Sequence, residues 1–305
     1  MKFVVVGLGS IGKRHKNNLL SLNHQVVDCH RNDDLLDILD REKPDGVLIC
    51  NPTGLHLETA IKVAKAGYPM MIEKPLADSL AEADELLTLA KEKKAVILIG
   101  YNFRFQKDLI KLKQDLIEGK VGKVKEVEIR VGSYLPSWRP GIDYRECYSS
   151  KKELGGGVLL DLSHEIDYAV WMFGKAKTVK AVIKYADELE AELKGRELEI
   201  ETEAWADLKI EFESAMKGKI HLDYVSEKYI RDCQVKGEKD VLSWDYAQIK
   251  KKEDVNQMYV NEIKHFIKVI QGKEKPRITL EESGHVLEII EAARKSSELN
   301  KVIKL

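Results

Sequence analysis

The run Gly7-Leu8-Gly9-Ser10-Ile11-Gly12 constrains this chain most, because it directly follows the strand-like Phe3-Val4-Val5-Val6 and opens a helical stretch from Ile11 to Leu22. A strand, a G-x-G-x-x-G turn and a helix together begin a dinucleotide-binding βαβ unit. Each glycine has its own duty in such a turn. Gly7 allows the tight bend, Gly9 lets the backbone approach a pyrophosphate, and Gly12 lets the helix pack on the strand. Ser10 and Ile11 then present helix-start amides and the positive end of the helix dipole to phosphate. An ordinary glycine-rich turn satisfies the glycine spacing alone, but the flanking strand and helix favour the dinucleotide.

The same rhythm continues. Strand candidates at Gln25 to Cys29, Gly46 to Cys50, Pro69 to Ile72 and Val96 to Ile99 alternate with helix candidates at Leu35 to Glu42, Leu55 to Ala66 and Leu80 to Lys93. Such alternation predicts an α/β fold with a Rossmann doubly wound parallel sheet. A helical stretch at Leu109 to Glu118 leads out of it. Beyond Val121 the period becomes two: Val127, Ile129 and Val131 alternate with charges, as do Val179 to Tyr185, Ala204 to Phe212 and Ile220 to Tyr224. Four such runs predict a C-terminal α+β domain with a largely antiparallel open sheet, one face buried and one wet. A helix at Leu159 to Phe173 should cover it, with Ile166, Ala169, Val170 and Phe173 as its apolar stripe. The acidic stretch Asp187 to Glu203 reads as an exposed hairpin or loop. Val260 to Ile270 and Leu280 to Leu299 read as closing helices, the second starting at a Thr279/Glu282 capping box. The expected domains are 1–120 and 121–305, with a closing helix free to pack back on the first.

Charge excludes some functions. Fifty Lys and Arg against 51 Asp and Glu leave a formal charge of −1, so there is no general pull toward nucleic acid or an anionic membrane. No apolar run approaches the ~20 residues that span a bilayer. Cys29, Cys50, Cys147 and Cys233 lie far apart with no C-x-x-C spacing, which predicts a reducing cytoplasm and no zinc knuckle. The chain enters its first strand at Lys2 without a leader-like apolar region.

The second strand bears on which dinucleotide is used. If it ends at Cys29, His30 takes the position that discriminates the ribose 2′ group and Arg31 follows, which suits a 2′-phosphate and favours NADP. Asp28, Asp33 and Asp34 keep NAD open.

Several segments together resemble the Gfo/Idh/MocA oxidoreductases over essentially the whole chain. Besides the glycine turn, they are Asn51-Pro52-Thr53-Gly54-Leu55-His56, the signature-like Glu73-Lys74-Pro75, Gly100-Tyr101-Asn102-Phe103-Arg104-Phe105, Trp138-Arg139-Pro140, and Asp161-Leu162-Ser163-His164-Glu165-Ile166-Asp167. The run from Ser133 to Pro140, followed by Lys152 to Gly157, is similar to members associated with surface-sugar or nonulosonic-acid pathways. The resemblance implies that Asn51, Pro52, Thr53, His56, Glu73, Asn102, Arg104, Trp138 and Arg139 lie along the cofactor, and that Lys74 contacts both cofactor and substrate. One departure is visible: Asp161 precedes His164 by three residues, where the family commonly has four.

Oxidising a secondary alcohol needs a hydride acceptor, a base for the hydroxyl proton and a donor for developing alkoxide charge. Lys74, at the carboxyl end of the fourth strand, is suited to proton transfer, although a Lys-Pro at a strand end taken alone is an ordinary turn. His164 is the candidate base, with Asp161 orienting it and Asp167 a turn further along to bind a substrate hydroxyl or to orient the ring. The plainer alternative is a helix start with acids at its dipole and a histidine satisfied in an interface. No metal is expected, since Tyr168 stands where H-E-x-x-H needs histidine. Gly155-Gly156-Gly157 either shapes a pocket or merely turns, and Arg104, Trp138, Arg139 and Tyr144 offer donors and an aromatic wall for a polyhydroxylated ring. The expected activity is therefore NAD(P)-dependent hydride transfer on a sugar, cyclitol or nucleotide sugar by a homo-oligomer, dimer or tetramer. The alternative is a redox-inert, dinucleotide-binding sensor of the same fold.

Overall fold

The computed structural model describes residues 1–81, 83–250 and 254–305. Its elements run β1 (Lys2–Val6), α1 (Ser10–Ser21), β2 (Gln25–Cys29), α2 (Leu35–Glu42), β3 (Gly46–Ile49), α3 (His56–Ala66), β4 (Met70–Glu73), α4 (Ala83–Lys93), β5 (Ile97–Gly100) and α5 (Lys107–Ile117). They continue with β6 (Val124–Gly132), α6 (Val158–Asp161), α7 (His164–Phe173), β7 (Ala176–Lys184), α8 (Glu190–Leu193), β8 (Trp205–Phe212) and β9 (Lys217–Asp223). Last come β10 (Ile230–Gly237), β11 (Val241–Asp245), α9 (Tyr246–Ile249), α10 (Gln257–Ile270), α11 (Leu280–Leu299) and β12 (Ile303–Lys304). Of the helix expected from Leu80, the described part begins at Ala83; Glu82 lies outside the described residues.

Two compact units result, Met1–Phe105 with Asn256–Leu287, and Gln106–Val255 with Glu288–Leu305. This division differs from the expected one at 120/121, and local bonding explains why. Gln106 caps α5 through Leu109 N–H (2.7 Å) and accepts a hydrogen bond from Trp244 Nε1 of β11 (3.2 Å), so α5 is tied to the second sheet.

In the first unit five strands pair in parallel in the order β2-β1-β3-β4-β5. Val47-Leu48-Ile49, Met70-Met71-Ile72 and Ile97-Leu98-Ile99 are buried on both faces, which is why they read as continuous apolar runs rather than alternating ones. Helix α10 packs back here: Asn256 and Asn18 exchange hydrogen bonds of 2.7 and 3.2 Å, and Phe266 lies 6.3 Å from Phe3. The capping box at α11 forms as expected, with Glu282 N–H donating to Thr279 Oγ1 and Thr279 N–H to Glu282 Oε2, each at 3.1 Å.

The second unit holds a seven-stranded sheet ordered β11-β10-β6-β9-β8-β7-β12. Only the β6/β9 pair is parallel. The four alternating runs became β6 to β9. Strands β10 and β11 escaped notice because Ile230–Gly237 buries only Cys233 and Val235, and Val241–Asp245 only Trp244. The acidic stretch is a correction: Leu189, Leu193, Leu198, Thr202 and Glu203 are buried, and Arg196 Nη2 donates to Val225 O at 2.7 Å. Three leucines spaced among acids pack this segment inward, whereas charge density alone suggested a wet loop.

The outer face of this sheet contains a charged knot. His221 Nδ1 lies 2.7 Å from Asp207 Oδ1 and its Nε2 2.9 Å from Asp223 Oδ2. Burial opposes charging the ring, but hydrogen bonds to both carboxylates outweigh it and push the pKa from 6.5 to about 9. Asp223 also accepts the N–H groups of Val225 and Ser226, so the turn after β9 hangs on the same carboxylate. Because the folded-state value is raised, the imidazolium's contribution to stability is complete below pH 6.5 and disappears as pH rises through about 9. Melting temperatures of the wild-type chain should therefore fall across that window, and His221→Gln should flatten the fall. An unchanged slope in the variant contradicts the assignment.

Candidate active site

The glycine turn has the stereochemistry its sequence demands. Gly7 sits at φ +84°, and a Cβ there would lie 2.7 Å from Asn51 N; a Cβ on Gly12 would lie 1.9 Å from Gly7 O. At Gly9, by contrast, a Cβ would meet nothing within 4 Å. Gly9 is the N-cap of α1, no side chain caps that end, and the first turn carries no acid. Amides at the start of a helix have no intrahelical partner, so this open, uncapped terminus suits the pyrophosphate of a dinucleotide.

At the end of β2 each acid has a partner, although Asp28 Oδ1 is buried without one among the described residues. Asp28 Oδ2 accepts from Lys16 Nζ at 2.5 Å, Asp33 Oδ2 accepts from His30 N–H at 2.7 Å, and Asp34 caps α2 through Leu36 and Asp37 N–H. His30 and Arg31 are exposed.

The loop after β3 carries Asn51, Pro52 and Thr53 and leads into His56. His56 lies 2.8 Å (Nδ1) from Pro75 O and 2.9 Å (Nε2) from Asn51 O, and is 1% exposed. Burial lowers its pKa against the pull of the two carbonyls, and the ring spans from the loop after β3 to the loop after β4. The ring therefore serves as a strut between two loops at this end of the sheet. Asn51 Nδ2 donates to Thr59 Oγ1 at 2.8 Å, while Asn51 Oδ1 is buried with no hydrogen-bond partner among the described residues.

Lys74 follows the last residue of β4 and is partly exposed. The carboxyl ends of β1 and β4 lie on one edge of the parallel sheet, two strand positions apart, or about 10 Å. Lysine and glycine turn thus share the edge at which such sheets take ligands. The Lys74-Pro75 peptide is cis. Glu73 turns inward: its Oε1 lies 2.6 Å from His15 Nε2, and its Oε2 accepts the Lys74 N–H at 3.3 Å. His15, Glu73 and Glu262 bring ligand-capable atoms within 4.8 Å of one another, all buried. Sequence reasoning missed this cluster, although His15 stands three residues beyond Gly12 on α1. Asn102 is 2% and Arg104 0% exposed. Arg104 Nη1 donates to Glu282 Oε2 and Arg277 O, each at 3.1 Å. With no accessible surface, Arg104 braces the start of α11.

In the second unit, a hydroxyl-rich cluster surrounds Asp161. Tyr148 OH donates to Oδ1 (2.5 Å), while Ser149 Oγ (2.7 Å) and Tyr224 OH (3.0 Å) donate to Oδ2. Burial, then the Asp161 charge, pushes both phenols well above their ordinary pKa, so they remain donors. Tyr148, Ser149 and Tyr224 carried no signal in the sequence, since only folding brings them to one carboxylate. The Arg139 guanidinium lies 5.5 Å from the Tyr148 ring centre, and Trp138 meets Tyr224 edge-on at 5.4 Å. Trp138 Nε1 is buried without a hydrogen-bond partner among the described residues. Tyr144 OH accepts from Glu199 N–H at 3.0 Å.

The expected continuous helix is interrupted. Leu162 and Ser163 form a turn between α6 and α7, so Asp161 and His164 do not stand one helical turn apart on a single face. His164 opens α7 and is 8% exposed; Asp167, one turn further along, is 0% exposed. Beside them, buried Glu165 pairs with Arg231 of β10 (Oε1 to Nε, 3.0 Å). The three glycines serve close packing: a Cβ on Gly156 would lie 2.3 Å from Tyr148 O, and one on Gly157 2.6 Å from Glu203 Cδ.

Comparison with known proteins agrees with both units. Residues 23–101 match the oxidoreductase family with an NAD-binding Rossmann fold, and residues 109–243 match the GFO/IDH/MocA C-terminal domain. The chain belongs to the GFO/IDH/MocA oxidoreductase family. Among curated proteins it is 27% identical to the myo-inositol 2-dehydrogenase of Thermotoga maritima over 348 residues, covering 100% of this chain and 98% of that protein. Among solved structures, the WlbA dehydrogenase of Bordetella pertussis, in complex with NADH and UDP-GlcNAcA, superposes with a TM-score of 0.86 at 19% identity and covers 100% of this chain and 97% of its own. The scyllo-inositol dehydrogenase of Lactobacillus casei, with bound NAD(H) and scyllo-inositol, gives 0.83 at 18%, covering 100% and 98%. At those identities the structures establish the shared GFO/IDH/MocA fold. No described helix is long and apolar enough to cross a membrane.

Proposed function

We propose that this family member transfers a hydride between a nicotinamide dinucleotide and a secondary alcohol or ketone carbon of a sugar, cyclitol or nucleotide-linked sugar. The observation that carries the reading is Lys74 at the carboxyl end of β4, on the same sheet edge as the open helix start at Gly9. The inositol and UDP-sugar named for its relatives support the substrate class.

The nicotinamide, when bound, supplies the hydride-accepting carbon. In the oxidative direction the His164 imidazole would take the hydroxyl proton while the substrate carbon gives up its hydrogen with the bonding electron pair to that acceptor, leaving a ketone. The Lys74 ammonium stabilises the negative charge growing on the oxygen. Asp161 acts here through Tyr148, Ser149 and Tyr224, whose hydroxyls it holds. The unpartnered Trp138 Nε1 is suited to a substrate hydroxyl.

NADP is the preferred dinucleotide in this reading. Asp33 and Asp34 are engaged by the His30 N–H and the α2 start and Lys16 takes one oxygen of Asp28, whereas the His30 and Arg31 side chains are exposed. The protein works in the cytoplasm as a dimer or tetramer, assembled through the sheet face on which Glu126, Glu128, Arg130, Lys209 and Lys219 intersperse both signs. Fluorescence titration should give a lower Kd for NADPH than for NADH, and a panel of nucleotide sugars and polyols should then show absorbance change at 340 nm, on the order of the nicotinamide band. Tight dinucleotide binding without turnover on any of them points instead to the redox-inert sensor, and a one-chain sedimentation mass overturns the oligomer.

A further inference from the structure

We propose that His15 and Glu73 are a buried positioning pair for Lys74, locking the helix that receives the dinucleotide to the backbone of the reactive lysine. The inference rests on the reading of Lys74 given above and adds two residues to it. His15 lies on α1 one turn past Gly12, 0% exposed, with Nε2 2.6 Å from Glu73 Oε1. The other carboxylate oxygen of Glu73 accepts the Lys74 N–H at 3.3 Å. A two-bond chain therefore runs from the dinucleotide-binding helix to the lysine backbone, through groups that no substrate reaches.

The surroundings are arranged around that carboxylate. Gly100 is the β5 neighbour of Glu73, and a Cβ there would press at 3.2 Å on Glu73 Cα, Cδ and Oε1. On the far side the Tyr259 ring meets His15 edge-on at 6.0 Å and is itself covered by the Arg14 guanidinium at 4.6 Å. Glu262 of α10 places a carboxylate oxygen within 4.8 Å of both partners, so the imidazole stands between two acids. A cation is the other occupant such a trio suits, but the 2.6 Å between Nε2 and Oε1 is a charge-assisted hydrogen bond already made. For stability alone, apolar side chains of similar volume serve as well as a buried ionic pair. What they cannot supply is a fixed acceptor for the Lys74 N–H.

The test uses the full chain, with His15→Ala, His15→Gln and Glu73→Gln read two ways. Hydrogen exchange of the peptide over residues 72–77 reports the Lys74 amide without any substrate. It should exchange about tenfold faster in His15→Ala, with peptides of β7 to β9 unchanged, and near the wild-type rate in His15→Gln, whose amide still donates to Glu73. Turnover should follow the same order: kcat down about 100-fold in His15→Ala with KM nearly constant, and largely restored in His15→Gln. Should His15→Ala not fold, Glu73→Gln, which weakens the bond to His15 at equal volume, is expected to speed Lys74 exchange in its place. Unchanged Lys74 exchange in the folded variants, or losses in His15→Gln as large as in His15→Ala, overturns the pair. If the wild type turns over no polyol or nucleotide sugar, the hydride-transfer reading fails while the exchange data still decide whether this pair holds Lys74.

Discussion

Replacing Lys74 with alanine should lower kcat by about 10²–10³-fold, the loss measured when a single donor to developing oxyanion charge is removed, or roughly 3–4 kcal/mol. Dinucleotide affinity should change little, because the helix start at Gly9 proposed for the pyrophosphate lies two strands away from Lys74. Arginine at position 74 should restore only a small part of the rate, since a planar, longer guanidinium cannot put its charge where the compact ammonium sits. Stopped-flow hydride transfer and a fluorescence titration on the same preparations check both halves. Full turnover in Lys74→Ala on a confirmed substrate removes the lysine from the chemistry, and a parallel collapse of dinucleotide binding shows that the side chain serves the cofactor instead.

The largest expected effect on stability lies at Arg231. Glu165 is 0% exposed and is held by Arg231 at 3.0 and 3.3 Å, with Tyr168 OH a further 3.3 Å donor. Removing the guanidinium strands most of a buried carboxylate's compensation, and breaking a buried pair from one side costs about 3–5 kcal/mol. For a protein of this size, Tm should drop by roughly 6–20 °C in Arg231→Ala. The effect reaches function because Glu165 is next to His164, so the pair pins the first turn of α7 to β10. Removing both charges, as in Glu165→Leu with Arg231→Met, should recover much of the loss, since no unpaired charge then remains buried. Equal melting points for Arg231→Ala and wild type contradict this account.

How much of the site was legible differs between its two halves. The glycine turn could be read directly, because a steric rule acts over six consecutive residues: Gly7 and Gly12 fail as any other residue within the turn itself. Lys74 stood out through the Glu73-Lys74-Pro75 segment that resembles the family signature, since a Lys-Pro at a strand end taken alone is an ordinary turn. The polar atoms of Arg104, Glu73 and His56 turn to Glu282, His15 and Pro75, partners that lie far away in the chain or beyond a loop and left no mark in the sequence. A polar residue next to a binding loop looks the same in sequence whether it faces the ligand or braces the loop from behind. The Asp161 hydroxyls show the opposite case, with Tyr224 sitting 63 positions from the carboxylate it serves.

The amino-acid sequence alone determined the parallel α/β sheet, the four alternating strands of the second unit, the capping box of α11 and the dinucleotide turn. Each depends on contacts between residues a few positions apart, where periodicity and glycine sterics act. Tertiary structure alone decided which buried polar side chains are struts, that a turn separates Asp161 from His164, and that His15, Glu73 and Glu262 meet. Those outcomes follow from long-range packing, in which the partner that satisfies a buried charge is chosen by where distant strands and helices come to rest.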